Sequence, residues 1–303
     1  KFTVTSEDGN WHKEYSVIID TFDLPLRYDF EHYELNETGK YQVFFEETQG
    51  TALFKQYIWA SGNSGFALTG VGRNPQEYPT VSIENGIDGS RAIKLETKST
   101  GQFGETVKMP IAAGNLFLGS FDVNNAVQKP LKATRFGLPF GKKPLQLKGY
   151  YKYTPGTQPF KAKDKNGNTV TIPGQEDEGD IYAVLYEAAE LDGKALDGNN
   201  VLTSENIVAL ARVEVEKKDE FTAFHVDFHY GSRIPIDWPK FIQDQRDPSD
   251  DGTAPYLSFS EEKMKNYEYN LAVVFTSSKY GAYFAGSVGS TLCIDKVEIV
   301  CEK

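Results

Sequence analysis

Ile181–Glu187 reads IYAVLYE, and its two interleaved sets of side chains decide the architecture. Alternate residues of an extended chain point to opposite faces. Ile181, Ala183 and Leu185 therefore share one face, and Tyr182, Val184 and Tyr186 the other. Neither face is polar, which marks a central strand covered on both sides. The face with the two tyrosines is either a second buried surface or one that lines a ligand. Phe221–Tyr230, FTAFHVDFHY, alternates differently. Phe224, Val226, Phe228 and Tyr230 fall on one side, and His225, Asp227 and His229 on the other.

Outward from these two segments, strand signals recur at Gln42–Phe45, Ala92–Thr97, Leu116–Asp122, Gln146–Tyr153, Val208–Val215, Asn270–Thr276 and Thr291–Val300. Gly, Pro, Asn and Asp clusters such as VGRNPQEYP and KDKNGNTVTIPGQEDEGD separate them. Apart from a short helix over Glu261–Tyr267, no useful apolar period of 3.6 residues appears. Strands without intervening helices pair antiparallel, and no internal repeat points to a propeller or solenoid. The expected fold is all-β, an antiparallel β-sandwich of jelly-roll type. Aromatic residues make up 13% of the 303, which suits many half-buried strands.

Residues 1–23 stand apart from this body. FTVTSEDGNWHKEYSVII forms two alternating runs around Asp8-Gly9, a hairpin signal. Two strands alone are marginal in water. The segment resembles the last two strands of a truncated immunoglobulin-like domain, with the boundary at Asp20–Pro25 and the main body over 24–303. The chain opens at Lys1 without a Met, as a processed or truncated form would. Cys293 and Cys301 lie on one expected strand, about 26 Å apart at about 3.3 Å per residue, beyond disulfide reach. They are expected to be inert free thiols.

The net charge of −11 and pI near 5.0 exclude a nucleic-acid partner, since phosphate backbones need clustered Lys and Arg. An anionic polymer would also be repelled at long range, so a neutral ligand is easier to hold. No apolar run approaches the roughly 18 residues of a membrane helix. There is no G-x-S-x-G elbow, phosphate loop or H-E-x-x-H motif.

Three segments carry a family resemblance. TRFGLPFGKKPLQLKGYYKYTPG (134–156) is similar to the signature of the putative carbohydrate metabolism domain, a family of surface and secreted proteins of glycan-degrading bacteria. VFTSSKYGAYFAGSVGSTLCIDKVEIV (274–300) resembles that family's C-terminal strand pair, and YIWASGNSGF (57–66) its early Trp-Ser-Asn-Gly segment. The resemblance implies a jelly roll with a sugar pocket on its concave face, often behind an immunoglobulin-like domain. It also implies an extracellular or outer-membrane location, with the signal or lipoprotein peptide removed. A glycan ligand and a monomer are expected. Glycan binding is the leading reading, with a glycoside hydrolase or polysaccharide lyase as the alternative and a ligand-free adhesin-like module as a second one.

A sugar site needs an aromatic platform and polar groups that grip hydroxyls. Tyr150, Tyr151 and Tyr153, with Arg135, could supply both, and Tyr186 and His229 join them as candidate ligand contacts. Core packing is the competing role for Tyr151 and Tyr153. Trp59 and Asn63 are a second candidate pair, with a core Trp the alternative. Arg135 has no acid beside it in the sequence. His225, Asp227 and His229 are a possible metal or acid–base trio, but same-face neighbours about 7 Å apart converge poorly, which favours a plain polar face. Glu187 is the one candidate catalytic acid, and no E-x-D-x-x-E run accompanies it. No cofactor is expected, save that Asp295 in TLCIDKVEI resembles an aspartate that helps hold structural Ca²⁺ in carbohydrate-binding jelly rolls.

Overall fold

The computed structural model describes residues 2–15, 23–49, 53–188, 191, 195–247 and 252–303. Eight principal strands build the body: β1 (Ala92–Glu96), β2 (Asn115–Phe121), β3 (Pro144–Thr154), β4 (Asp180–Glu187), β5 (Ile207–Val213), β6 (Lys218–Asp227), β7 (Tyr269–Thr276) and β8 (Thr291–Cys301). One sheet has the order β6-β3-β8-β1, extended by Thr80–Ile83 and by Arg27–Tyr28, which pairs with β8. The other has the order β2-β7-β4-β5, extended by Thr134–Phe136 on β2 and His229–Tyr230 on β5. Every ladder between principal strands is antiparallel. From β1 onward the chain passes repeatedly between the sheets, so neighbours in a sheet are three, five or seven places apart in sequence, β4 and β5 alone being consecutive. That is the double Greek key of a jelly roll.

Packing follows from the alternation. Ile181, Ala183 and Leu185 of β4 meet Leu147 and Tyr151 of β3 and Ile294 of β8 in one core between the sheets. Trp59, Tyr28, Phe30 and Phe275 close one region of that core, with ring centroids 5.0–6.4 Å apart. Tyr182, Val184 and Tyr186 point the other way, into a second apolar layer with Phe117, Leu202 and Tyr256. Every residue of β4 is buried, as a strand covered on both faces must be.

Two expectations need correction. Phe221–Tyr230 is not one strand: the ladder to β3 ends at Asp227, and His229–Tyr230 crosses to pair with Leu210 and Ala209 of β5. His225 and Asp227 thus belong to one sheet and His229 to the other. Short helices also occur where no apolar period is visible, at α1 (Asn63–Ala67), α2 (Gly101–Thr106) and Lys240–Gln243. The helix at Glu261–Lys265 agrees with the sequence, with Ser260 capping it by accepting from the Lys263 N–H.

The N-terminal hairpin is present, pairing Phe2–Thr5 with His12–Tyr15 around a turn in which Gly9 adopts φ +70°. Its side chains over residues 3–14 are exposed, including Val4 at 58% and Trp11 at 78%. Residues 20–22 of the expected boundary lie outside the described residues.

Candidate functional site

The outer face of the eight-stranded sheet carries Phe117 of β2, Tyr182 and Val184 of β4, Leu210 and Arg212 of β5, and Val274 and Thr276 of β7. Segments from all along the chain lie over one end of this face, among them α1, α2 and the stretches containing Pro130, Leu202, Trp238 and Tyr283. Between them and the sheet is a cavity of about 190 Å³.

Its floor holds a buried ion pair. Asp180 opens β4, and the antiparallel register sets Arg212 of β5 opposite Tyr182. Arg212 Nε and Nη2 donate to the two Asp180 carboxylate oxygens at 2.9 and 2.7 Å. The side chains are 18% and 4% exposed. Such bidentate geometry holds the guanidinium in one orientation. Burial works against the Arg212 charge, but Asp180 outweighs it and strengthens its hold on the proton. Burial, helped by Asp180, pushes the Tyr182 hydroxyl far up, so it stays neutral.

One wall is a cation–π stack. The Arg246 guanidinium lies 4.2 Å from the Trp238 ring centroid, and its Nη1 donates to the Tyr283 hydroxyl at 2.8 Å. Trp238 Nε1 is a buried donor with no acceptor among the described residues. A buried polar group left unpaired costs about 1–3 kcal/mol, so a ligand acceptor there would recover part of that. The opposite wall is set by Asn63. Its side chain donates to Thr80 O and accepts from Thr80 N at 2.8 and 3.1 Å, pinning α1 so that Gly65 and Phe66 face the cavity. Asp180 is the lone carboxylate among the described lining residues.

The residues singled out in the sequence are not gathered here. Trp59 is 4% exposed in the core and donates from Nε1 to Glu46 at 2.8 Å. Tyr151 and Tyr153 face the inter-sheet core at 4% and 2% exposure. The Tyr151 hydroxyl accepts from Glu216 N, and the Tyr153 hydroxyl donates to Ser277 O. Tyr186 is wholly buried, donating to Phe136 O at 2.6 Å and accepting from Asn270. Gly137, with φ +96°, lets the backbone pass over that ring, where a Cβ would come within 2.7 Å. Each of these tyrosines thus has a packing role, and none lines the cavity. Asn63 serves the cavity indirectly, through α1.

Arg135 does have an acid beside it, across the ladder: Nη2 donates to Asp122 at 3.0 Å on an exposed surface. His229 is exposed and within hydrogen-bond reach of Ser232. Asp227 accepts from Gln146, and His225 faces Lys148 across the ladder, as on a polar sheet face. Glu187 is buried and paired with Lys263, at the far end of β4 from Asp180 and on the face that points between the sheets. Asp295 is buried, and its oxygens accept from Ile87 N, Ser90 Oγ and Lys296 N. That donor-filled surrounding does not fit a calcium site, and no cluster of three His, Cys, Asp or Glu suited to a metal occurs among the described residues. Burial pushes the thiols of Cys293 and Cys301 up to about 11, so both stay protonated.

Trp238, Arg246, Asp180 and Arg212 were not singled out by sequence reasoning. A signal existed for two of them: Asp180 and Arg212 are charges at the ends of otherwise apolar strands. Trp238, in IPIDWPKF, is an aromatic between prolines and outside any alternating run.

The fold is a jelly roll whose outer sheet face is roofed by loops over an ion-paired, aromatic cavity. The chain belongs to the putative carbohydrate metabolism domain family, whose model matches residues 29–300. A crystal structure of a putative glycoside hydrolase from Bacteroides thetaiotaomicron is 41% identical, with TM-score 0.75 over 99% of this chain and 78% of that one. A second, a putative glycoside hydrolase from Bacteroides vulgatus, is 34% identical, with TM-score 0.73 over 93% of this chain and 100% of that one. No protein of curated function matches the chain. The domain is carbohydrate-related.

Proposed function

We propose that this protein binds a glycan in the cavity over the outer face of the eight-stranded sheet, at the cell surface or outside the cell, in polysaccharide utilisation. The observation that carries this reading is the chemistry of the cavity. Aromatic walls are joined there by fixed polar groups, Arg212 held by Asp180 and an unpaired Trp238 N–H. Sugars present apolar ring faces beside hydroxyls, which such a lining matches.

A second reading, hydrolysis of a glycosidic bond, is favoured by the two relatives, each a putative glycoside hydrolase. Against it, glycoside hydrolysis uses two carboxyl groups roughly 5–9 Å apart. The described lining offers Asp180 alone, already committed to Arg212. The deciding experiment is a glycan array with product analysis on every hit, run on the protein and on Ala126→Trp. Ala126 is half-buried in the cavity wall, so a large ring there fills the space. Binding lost in the variant, with the melting temperature kept and no product released, is expected. Binding unaffected by Ala126→Trp places the site elsewhere, and product release abolished by Asp180→Asn makes the chain an enzyme.

A further inference from the structure

The cavity is about 190 Å³. Pockets that enclose a drug-sized ligand run to roughly 300–1,000 Å³. One sugar ring fits, and the next ring of a chain must lie outside the mouth.

The aromatics of the lining are unequal. Trp238 has Arg246 over its face and Tyr280 and Tyr283 at 6.4 Å, so its free contribution is the N–H and not a stacking surface. Phe117 packs edge-on against Phe136 at 4.9 Å, Phe66 against Tyr78 at 5.5 Å, and Phe284 lies under Lys163. Phe103 differs. It lines the cavity yet is 42% exposed, and its ring meets no other ring among the described residues.

Its backbone is held firmly. Gly101 starts α2 at φ +62°, and the Thr100 hydroxyl donates to Met109 O at 2.5 Å across the turn. Gly104 leaves no space for a Cβ, which would come within 2.6 Å of Met109 O. Val71, itself exposed, abuts Gly101 and extends the apolar edge. A half-exposed ring on a fixed backbone loses little freedom on binding, which favours stacking.

We propose that Phe103 is the stacking platform for the second ring of a glycan whose terminal ring occupies the cavity, so that the protein recognises a chain end together with its neighbour. This rests on the glycan reading of the cavity. The test is calorimetry with glucose, galactose, mannose, xylose and N-acetylglucosamine, each beside its own disaccharide, on the protein and on Phe103→Ala, Phe103→Trp and Ala126→Trp. For the sugar that binds, the disaccharide is expected to bind tighter than the monosaccharide by roughly three- to tenfold, the range of one aromatic contact. Phe103→Ala removes that gain, so that within this variant the disaccharide binds no tighter than its monosaccharide, while Phe103→Trp keeps it. A gain that survives Phe103→Ala overturns the inference, and if Ala126→Trp still abolishes binding, the cavity reading stands without it. Binding that Ala126→Trp does not disturb, or no binding of any probe by the protein, overturns both.

Discussion

Replacing Glu46 by Gln should stabilise the protein above neutral pH and leave its stability less dependent on acid. Glu46 is 7% exposed beside the core aromatics, where Trp59 Nε1 donates to it. Burial raises its carboxyl from 4.5 to about 7, with the Trp59 hydrogen bond opposing and Asp29 adding to the rise. The native state therefore keeps this proton up to about pH 7, whereas the unfolded chain releases it near 4.5. Across that window the native state binds more protons, so stability falls as pH rises, and above it the whole loss stands. At about 1.36 kcal/mol per pKa unit the ionised group costs roughly 3 kcal/mol. Gln keeps an acceptor for Trp59 and carries no charge, while its amide N–H₂ must find a partner at a cost of about 1 kcal/mol. The net expectation is a gain of about 2 kcal/mol at pH 8 and a small loss at pH 5. Urea denaturation of both proteins from pH 4.5 to 8 measures it. Curves that run parallel across that range would refute the argument, because they would mean Glu46 ionises alike in both states.

Arg212→Met should cost about 3–5 kcal/mol by stranding Asp180 in the cavity floor, and Arg212→Met with Asp180→Leu should recover most of it. Melts of the single and double variants decide this, and a double variant as unstable as the single would show that the pair is not the cause. Removing residues 1–15 should lower the melting temperature by less than about 3 °C, since the hairpin's side chains are exposed. A small loss agrees with a hairpin that stands outside the jelly roll's core; a large drop would make it part of the sandwich.

Much of the fold was legible, and for an identifiable reason. A strand apolar on both faces can only be central, and IYAVLYE proved to be the fully buried β4. Alternation also told correctly that Tyr151 and Tyr153 share a face of β3, but not which face turns inward. Both turned inward, into the core between the sheets. The break at Phe228 was invisible because the apolar pattern continues through it while the chain changes sheets. The cavity was the least legible part. Its walls come from segments as far apart as Phe66, Phe103, Leu202, Trp238 and Tyr283, each unremarkable in its own neighbourhood. Only the sheet order brings Asp180 and Arg212 together at its floor.

The placement of β8 has a consequence for how the chain is made. It lies in the middle of its sheet, between β3 and β1, with Ile93 facing Ile294 across about two hundred residues of sequence. During synthesis β1 and β3 emerge first and wait with open, apolar edges for a partner that leaves the ribosome much later. Closing so long a loop is slow, and unpaired edges invite pairing with other chains. Production of this protein should therefore be limited by what happens to the unfinished chain more than by the stability of the finished one. Slower synthesis would lengthen the exposed interval, whereas chaperones that cover the edges until β8 arrives would raise the yield.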